Sequence, residues 1–134
     1  MSSLKNLVFG AGVLAMLALG VSACGPEYDR TEISAVKGEG TLGGTISTRR
    51  LDVPEGLVIT AHLAVLNDDD EHMPLVVRSK DPSIIEVAPV VNPRNYAFIG
   101  RKQGSTQVEF VADGSVVLTI PANVLAQPEL PDTR

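Results

Sequence analysis

Along most of the chain, apolar and polar residues alternate with a period of two rather than three and a half. Residues 57–65 read Leu-Val-Ile-Thr-Ala-His-Leu-Ala-Val. As a strand, this puts Leu57, Ile59, Ala61, Leu63 and Val65 on one face and Thr60 and His62 on the other. Pro54-Glu55-Gly56 is a turn leading in, and Asn67-Asp68-Asp69-Asp70-Glu71-His72 is a polar loop leading out. Further strands are predicted at 75–78, 84–87, 95–99, 105–112 and 116–120, with Val124 and Leu125 extending the last beyond Pro121. Asp113-Gly114 lies between two apolar alternating runs, a strong short-range hairpin signal. Residues 41–48, with Gly43-Gly44, read as a strand broken by a bulge. Seven or eight short strands with turns between them, and no helix, predict an all-β fold: a small antiparallel sandwich or barrel.

The first two dozen residues break this pattern. Residues 7–19 form an uncharged apolar run after a polar start whose one cationic side chain is Lys5, and Val21-Ser22-Ala23-Cys24 follows. A charged start, an apolar stretch and small residues before a cut site make a secretory signal. A transmembrane helix would need about 20 consecutive apolar residues, and Gly10, Gly12, Gly20 and Ser22 dilute this run. Val21-Ser22-Ala23-Cys24 resembles the lipobox of bacterial lipoproteins, an aliphatic residue and two small ones before a cysteine. The resemblance implies cleavage after residue 23 and a covalent lipid on Cys24, the chain's sole cysteine. Acyl chains gain about 0.8 kcal/mol per buried CH₂, and stable anchoring takes more than one chain, which a diacyl cysteine supplies. No Asp follows Cys24 directly, which on the same resemblance favours the outer over the inner membrane of a bacterial envelope.

This divides the chain into a signal peptide (1–23), the lipidated cysteine with a polar tether (24–40), a β domain (41–126) and an exposed Pro-containing tail (127–134). Ile33 and Val36 are placed to begin an edge strand within the tether. Within the domain, Arg78-Ser79-Lys80-Asp81-Pro82-Ser83-Ile84-Ile85-Glu86-Val87, followed by the alternating strand at 96–99 and Gly104-Ser105-Thr106-Gln107-Val108, resembles bacterial Ig-like domains. That resemblance implies an Ig-like β-sandwich behind the signal peptide, of a kind used as spacers, adhesive units or binding modules.

Composition narrows the core and the chemistry. Only 4% of residues are aromatic and Trp is absent, so the core must be built from Val, Ile, Leu and Ala around Tyr96, Phe98 and Phe110. Without Lys5, ten Lys and Arg face sixteen Asp and Glu, a net charge of −6. That sign disfavours nucleic acid as a partner. The histidines, His62 and His72, have no catalytic motif around them, and His62 reads as a solvated residue on a strand's polar face. The Gly-rich stretches do not precede a helix, as a phosphate cradle requires. No cofactor is expected beyond the lipid. The weak candidate for a cation site is the acidic run Asp68, Asp69, Asp70 and Glu71, which would need distant partners such as Asp113 to wrap Ca²⁺.

The expected function is a membrane-anchored, non-catalytic envelope lipoprotein whose sandwich binds a protein or glycan partner. The alternative is a structural subunit or spacer of a larger envelope assembly. Apolar residues exposed on outer faces, such as Val58 and Val76, would favour assembly. A deep pocket with converging Asp, His and Arg would instead favour an enzyme.

Overall fold

The computed structural model describes residues 27–40, 43–127 and 129. The signal peptide, Cys24 and most of the tail expected from the sequence lie outside the described residues. Nine strands follow in order: β1 Tyr28–Lys37, β2 Thr45–Ile46, β3 Leu51–Pro54, β4 Val58–Asn67, β5 Leu75–Ser79, β6 Ile85–Pro89, β7 Asn95–Gly100, β8 Gly104–Ala112 and β9 Ser115–Leu125. They form a four-stranded sheet in the order β1-β4-β7-β6 and a five-stranded sheet in the order β2-β3-β9-β8-β5. The fold is all-β, and no helix among the described residues is long and apolar enough to cross a membrane.

The period-two residues meet between the sheets. Ile59, Ala61 and Leu63 of β4 share one core cluster with Val108 and Phe110 of β8 and Ile120, Ala122 and Val124 of β9, with Phe98, Phe110, Leu51, Ile85 and Ile120 fully buried. Leu57, expected to share the inward face of β4, lies before that strand and is exposed. Tyr96 donates its hydroxyl to the Leu75 carbonyl of the other sheet (3.0 Å). Burial pushes that hydroxyl's pKa up, which keeps it a donor. Asp113 and Gly114 both take positive φ (49° and 79°) between the paired residues Ala112 and Ser115, as a two-residue type I′ turn requires.

Three features depart from the sequence expectation. Residues 28–37 are not a tether: they form a ten-residue edge strand antiparallel to β4, with Ile33 beside Leu63 and a bulge between Ser34 and Lys37 where Ala35 has φ 49°. The edge strand expected from Ile33 and Val36 is thus present but begins earlier, at Tyr28, and the charges along it are of the kind that block unwanted edge pairing. The sheets are also not wholly antiparallel, because β3, at residues for which the sequence pattern predicts no strand, runs parallel to β9. All four β3 residues are buried, including its one polar residue, Asp52, which meets Asn123 and Arg50. Last, the strand predicted at 41–48 reduces to β2, and Gly44 forms an isolated bridge with Glu39. Pro121 stays within β9 because β3 begins to pair one residue later, at Ala122.

Candidate binding surface

The inward position of Val108, Phe110 and Ala112 forces Val111 outward, and the register places Val76 and Val116 on either side of it. Three valines on three neighbouring strands thus make one aliphatic row on the outer face of the five-stranded sheet. Val76 is 60% exposed and Val116 46% exposed. Neighbouring valines contribute packing between strands; Val111, between the other two, is half-buried. The next row is charged: Arg78 Nε donates to Glu109 Oε1 at 3.1 Å. Further along the same face, Ser105 Oγ donates to Asn123 Oδ1 (2.8 Å), Asn123 Nδ2 donates to Asp52 Oδ1 (3.0 Å), and Arg50 pairs with Asp52 Oδ2 (2.5 Å). This ladder satisfies the buried Asp52, which an unpaired carboxylate at that position could not tolerate. The face therefore runs from apolar at the Asp113-Gly114 end to hydrogen-bonded at the other.

The residues singled out for chemistry do not come together. His62 is half-buried rather than solvated, with Nδ1 2.9 Å from Asn95 Oδ1 on the neighbouring strand and no hydroxyl among its partners. His72 lies elsewhere, in an isolated bridge with Leu66. The acidic loop is shaped from within: Asn67 Oδ1 accepts the N–H groups of Asp69 and Glu71, both at 2.9 Å. Asp70, at φ 60°, gives its carboxylate to Arg30 Nη1 at 2.8 Å. Asp70, Glu32 and Asp29 together hold the Arg30 guanidinium above its ordinary pKa. Among the described residues no three His, Cys, Asp or Glu side chains converge in a way that could hold a metal. Asp70 of the expected cation site is thus engaged by a guanidinium, and Asp113 is in the hairpin turn after β8.

A cleft of about 290 Å³ opens between the sheets, lined by Leu63, Val65, His72, Met73, Pro74, Leu75, Pro93 and Arg94. Its walls are mainly apolar, and no carboxylate lines it. A nucleophile, a base and an orienting acid are the minimum for acyl transfer, and this lining does not contain them. The sequence reading anticipated Val76 as an outward valine but missed the row. The link from Val111 to Val116 follows from the Asp113-Gly114 turn, whereas Val76 joins them through a pairing of strands more than thirty residues apart.

No protein-family model matches the chain, and no curated protein matches it. The fold is similar to solved domains of the surface-layer protein SbsC. Domains 4 and 5 of that protein align with a TM-score of 0.53 and 16% identity over 76% of this chain and 54% of that one. Its domains 4–9 align with a TM-score of 0.55 and 15% identity over 81% of this chain and 16% of that one. The chain thus spans about half of the two-domain structure. At this identity the likeness is one of fold.

Proposed function

We propose that the protein is a lipid-anchored, non-catalytic module of the bacterial cell envelope that binds a protein partner through the outer face of its five-stranded sheet. The observation that carries this reading is the aliphatic row Val76, Val111 and Val116 on that face, with Val76 and Val116 exposed. Between a protein and a glycan, the row favours protein. Sugars are commonly held by stacking on exposed aromatic rings, and this face has none, whereas aliphatic side chains suit the apolar centre of a protein interface. The anchor rests on the likeness of Val21-Ser22-Ala23-Cys24 to a lipobox, and the absence of catalysis on the dispersal of His62, His72 and the acidic loop. A second reading, a structural subunit of a larger envelope assembly, is supported by the exposure of Val58 and Val76, the outward valines expected to favour it, and by the fold shared with domains of a surface-layer protein.

The test is a crosslinking pull-down from intact cells, comparing the parent chain with Val76→Lys, Val116→Lys and Cys24→Ser. One discrete partner should be recovered with the parent and lost with each lysine variant, while the folded yield of those variants stays unchanged. Undiminished recovery with both lysine variants would refute the sheet face. Recovery that survives Cys24→Ser would refute the need for the anchor. A partner that is another copy of the chain, or a regular array protein, would select the assembly reading.

A further inference from the structure

A second exposed apolar feature lies in the connection between β6 and β7, outside the surface proposed above. Val91 is fully exposed (103%) and Val90 is 40% exposed, in the sequence Val90-Val91-Asn92-Pro93-Arg94. The loop is held in place: Val90 N–H donates to Asn95 C=O at 2.9 Å, Asn95 N–H to Asn92 C=O at 3.0 Å, and Leu63 N–H to Arg94 C=O at 2.8 Å. Arg94 is exposed and makes no ion pair among the described residues, unlike Arg30, Arg50, Arg78 and Arg101. A loop fixed by its backbone bonds thus presents a bare valine at its tip and an exposed guanidinium at its base.

The short link between β1 and Cys24 points to a partner. β1 starts at Tyr28, beside Asn67 at the end of β4, and Glu27 C=O accepts the N–H of Asp68 at 3.0 Å. Only Gly25, Pro26 and Glu27 separate Tyr28 from Cys24. Fully extended, that link spans at most about 14 Å. The β6–β7 loop is level with Leu63, four residues short of Asn67 along β4, an offset of about 13 Å. The loop and the start of β1 thus open on the same end of the sandwich, separated across the sheet by β4, and with the strands tilted to the surface a lipid on Cys24 and the tip of the loop meet one bilayer plane.

We propose that this loop is a membrane contact: Val90 and Val91 enter the interfacial layer of a zwitterionic phospholipid bilayer while Arg94 lies at the phosphates. This rests on the lipid-anchored reading above. Two valines are too little apolar surface to hold a protein on a membrane, and beside a covalent lipid they orient the domain rather than supply its affinity. A zwitterionic surface is specified because Asp68, Asp69 and Glu71 are in the β4–β5 connection, beside the residue from which the link to Cys24 departs. There they oppose an anionic surface at distances within about one Debye length.

The chain has no tryptophan, so a single introduced one reports its own surroundings. Val91→Trp and, at the other end of the sandwich, Lys102→Trp are made in the whole chain, expressed in a bacterial host and extracted from membranes. Mass spectrometry of the N-terminal peptide reads acylation, and the protein is then reconstituted into phosphatidylcholine vesicles containing bromine-labelled lipid. The expected result is a blue-shifted Val91→Trp emission quenched severalfold more strongly than that of Lys102→Trp, with weaker quenching when phosphatidylglycerol is added. Equal quenching of the two in an acylated chain overturns the loop contact and leaves the anchor intact. An unacylated Cys24 overturns the anchored reading and the contact with it.

Discussion

Asn67 is the residue on which the β4–β5 connection turns, and replacing it tests how that loop is held. It is 4% exposed, and its Oδ1 accepts two backbone N–H groups, from Asp69 and Glu71. Its own N–H donates to Glu71 C=O at 3.0 Å, and its C=O accepts from Asp70 at 3.1 Å. Asn67→Ala keeps the main-chain bonds and removes the two bonds at Oδ1, together with a contact from Nδ2 to Glu71 Oε2 that at 3.5 Å is too long to add much. At about 1 kcal/mol for each hydrogen bond, the expected loss is about 2 kcal/mol, since the freed donors lie in an exposed loop that water can reach. With a urea slope of about 2 kcal/mol per molar, the unfolding midpoint should fall by about 1 M. Asn67→Asp keeps both acceptor contacts but adds a negative charge beside Asp68, Asp69, Asp70 and Glu71. Like charges a few ångströms apart in water repel by about 1 kcal/mol or less, and salt screens them. Its loss should therefore shrink as sodium chloride is raised, while that of Asn67→Ala should not. A midpoint for Asn67→Ala within about 0.2 M of the parent, or an Asn67→Asp deficit indifferent to salt, would refute this account of the loop.

Two further perturbations follow from local geometry. Hydrogen bonds from the Ser83 hydroxyl (2.5 Å) and the Ser83 N–H (3.1 Å) hold the Asp81 carboxylate below its usual pKa of 3.8. A folded pKa below the unfolded one adds stability above the unfolded value, and this is lost as the pH falls through the folded value. Ser83→Ala should thus lower the melting temperature at pH 7, with a deficit that shrinks as the pH falls below about 3.8 and vanishes below the folded value; a difference constant down to pH 2 would contradict this. The glycines divide by cause. A Cβ at Gly44 would lie 2.0 Å from the Asp52 carbonyl oxygen, whereas one at Gly114 meets nothing within 4 Å but must accept φ 79°. Gly114→Ala should cost about 1 kcal/mol of backbone strain. Gly44→Ala should cost clearly more, by detaching β2 from β3, and equal midpoints in denaturant would reverse that ranking.

How much of this was legible in the sequence depended on the range of the interactions. β4, β8 and the turn at Asp113-Gly114 could be read because alternation and turn chemistry act between near neighbours. β1 looked like a linker because Asp29, Arg30, Glu32 and Lys37 mask the alternation of Thr31 and Ile33. Its status as a strand comes from pairing with residues about thirty positions away. β3 escaped for a different reason: it is four residues long with one polar position, Asp52, and runs directly into the Pro54-Glu55-Gly56 turn. The candidate surface divides in the same way: Val111 and Val116 are neighbours across a hairpin, while Val76 reaches them only through the pairing of β5 with β8. His62 was placed on the correct face, but its partner Asn95 depended on the β4–β7 register.

The valine row and the β6–β7 loop are on different sheets but in the same half of the sandwich. Val76 is one residue from the start of β5, beside the Asp113-Gly114 turn, and Leu75 is tied to Tyr96 across the core. Tyr96 in turn pairs with Ala61 on β4, near the level of Leu63, where the loop is held. If the loop meets the bilayer, the row lies within roughly two or three residues of strand length above it, about 10 Å. A soluble partner would have to approach that band against the headgroups, whereas a partner itself held to the membrane meets it at the same height. Anchoring both partners in one plane also raises their effective concentration, so a patch of three valines can suffice where free solution would demand a standard-sized interface. The small extent of the apolar row and the short link to Cys24 thus belong to one design. Lengthening the link by about ten flexible residues between Pro26 and Tyr28 should weaken partner capture as much as losing one valine does. Capture unaffected by the longer link would mean that the row does not depend on its height above the membrane.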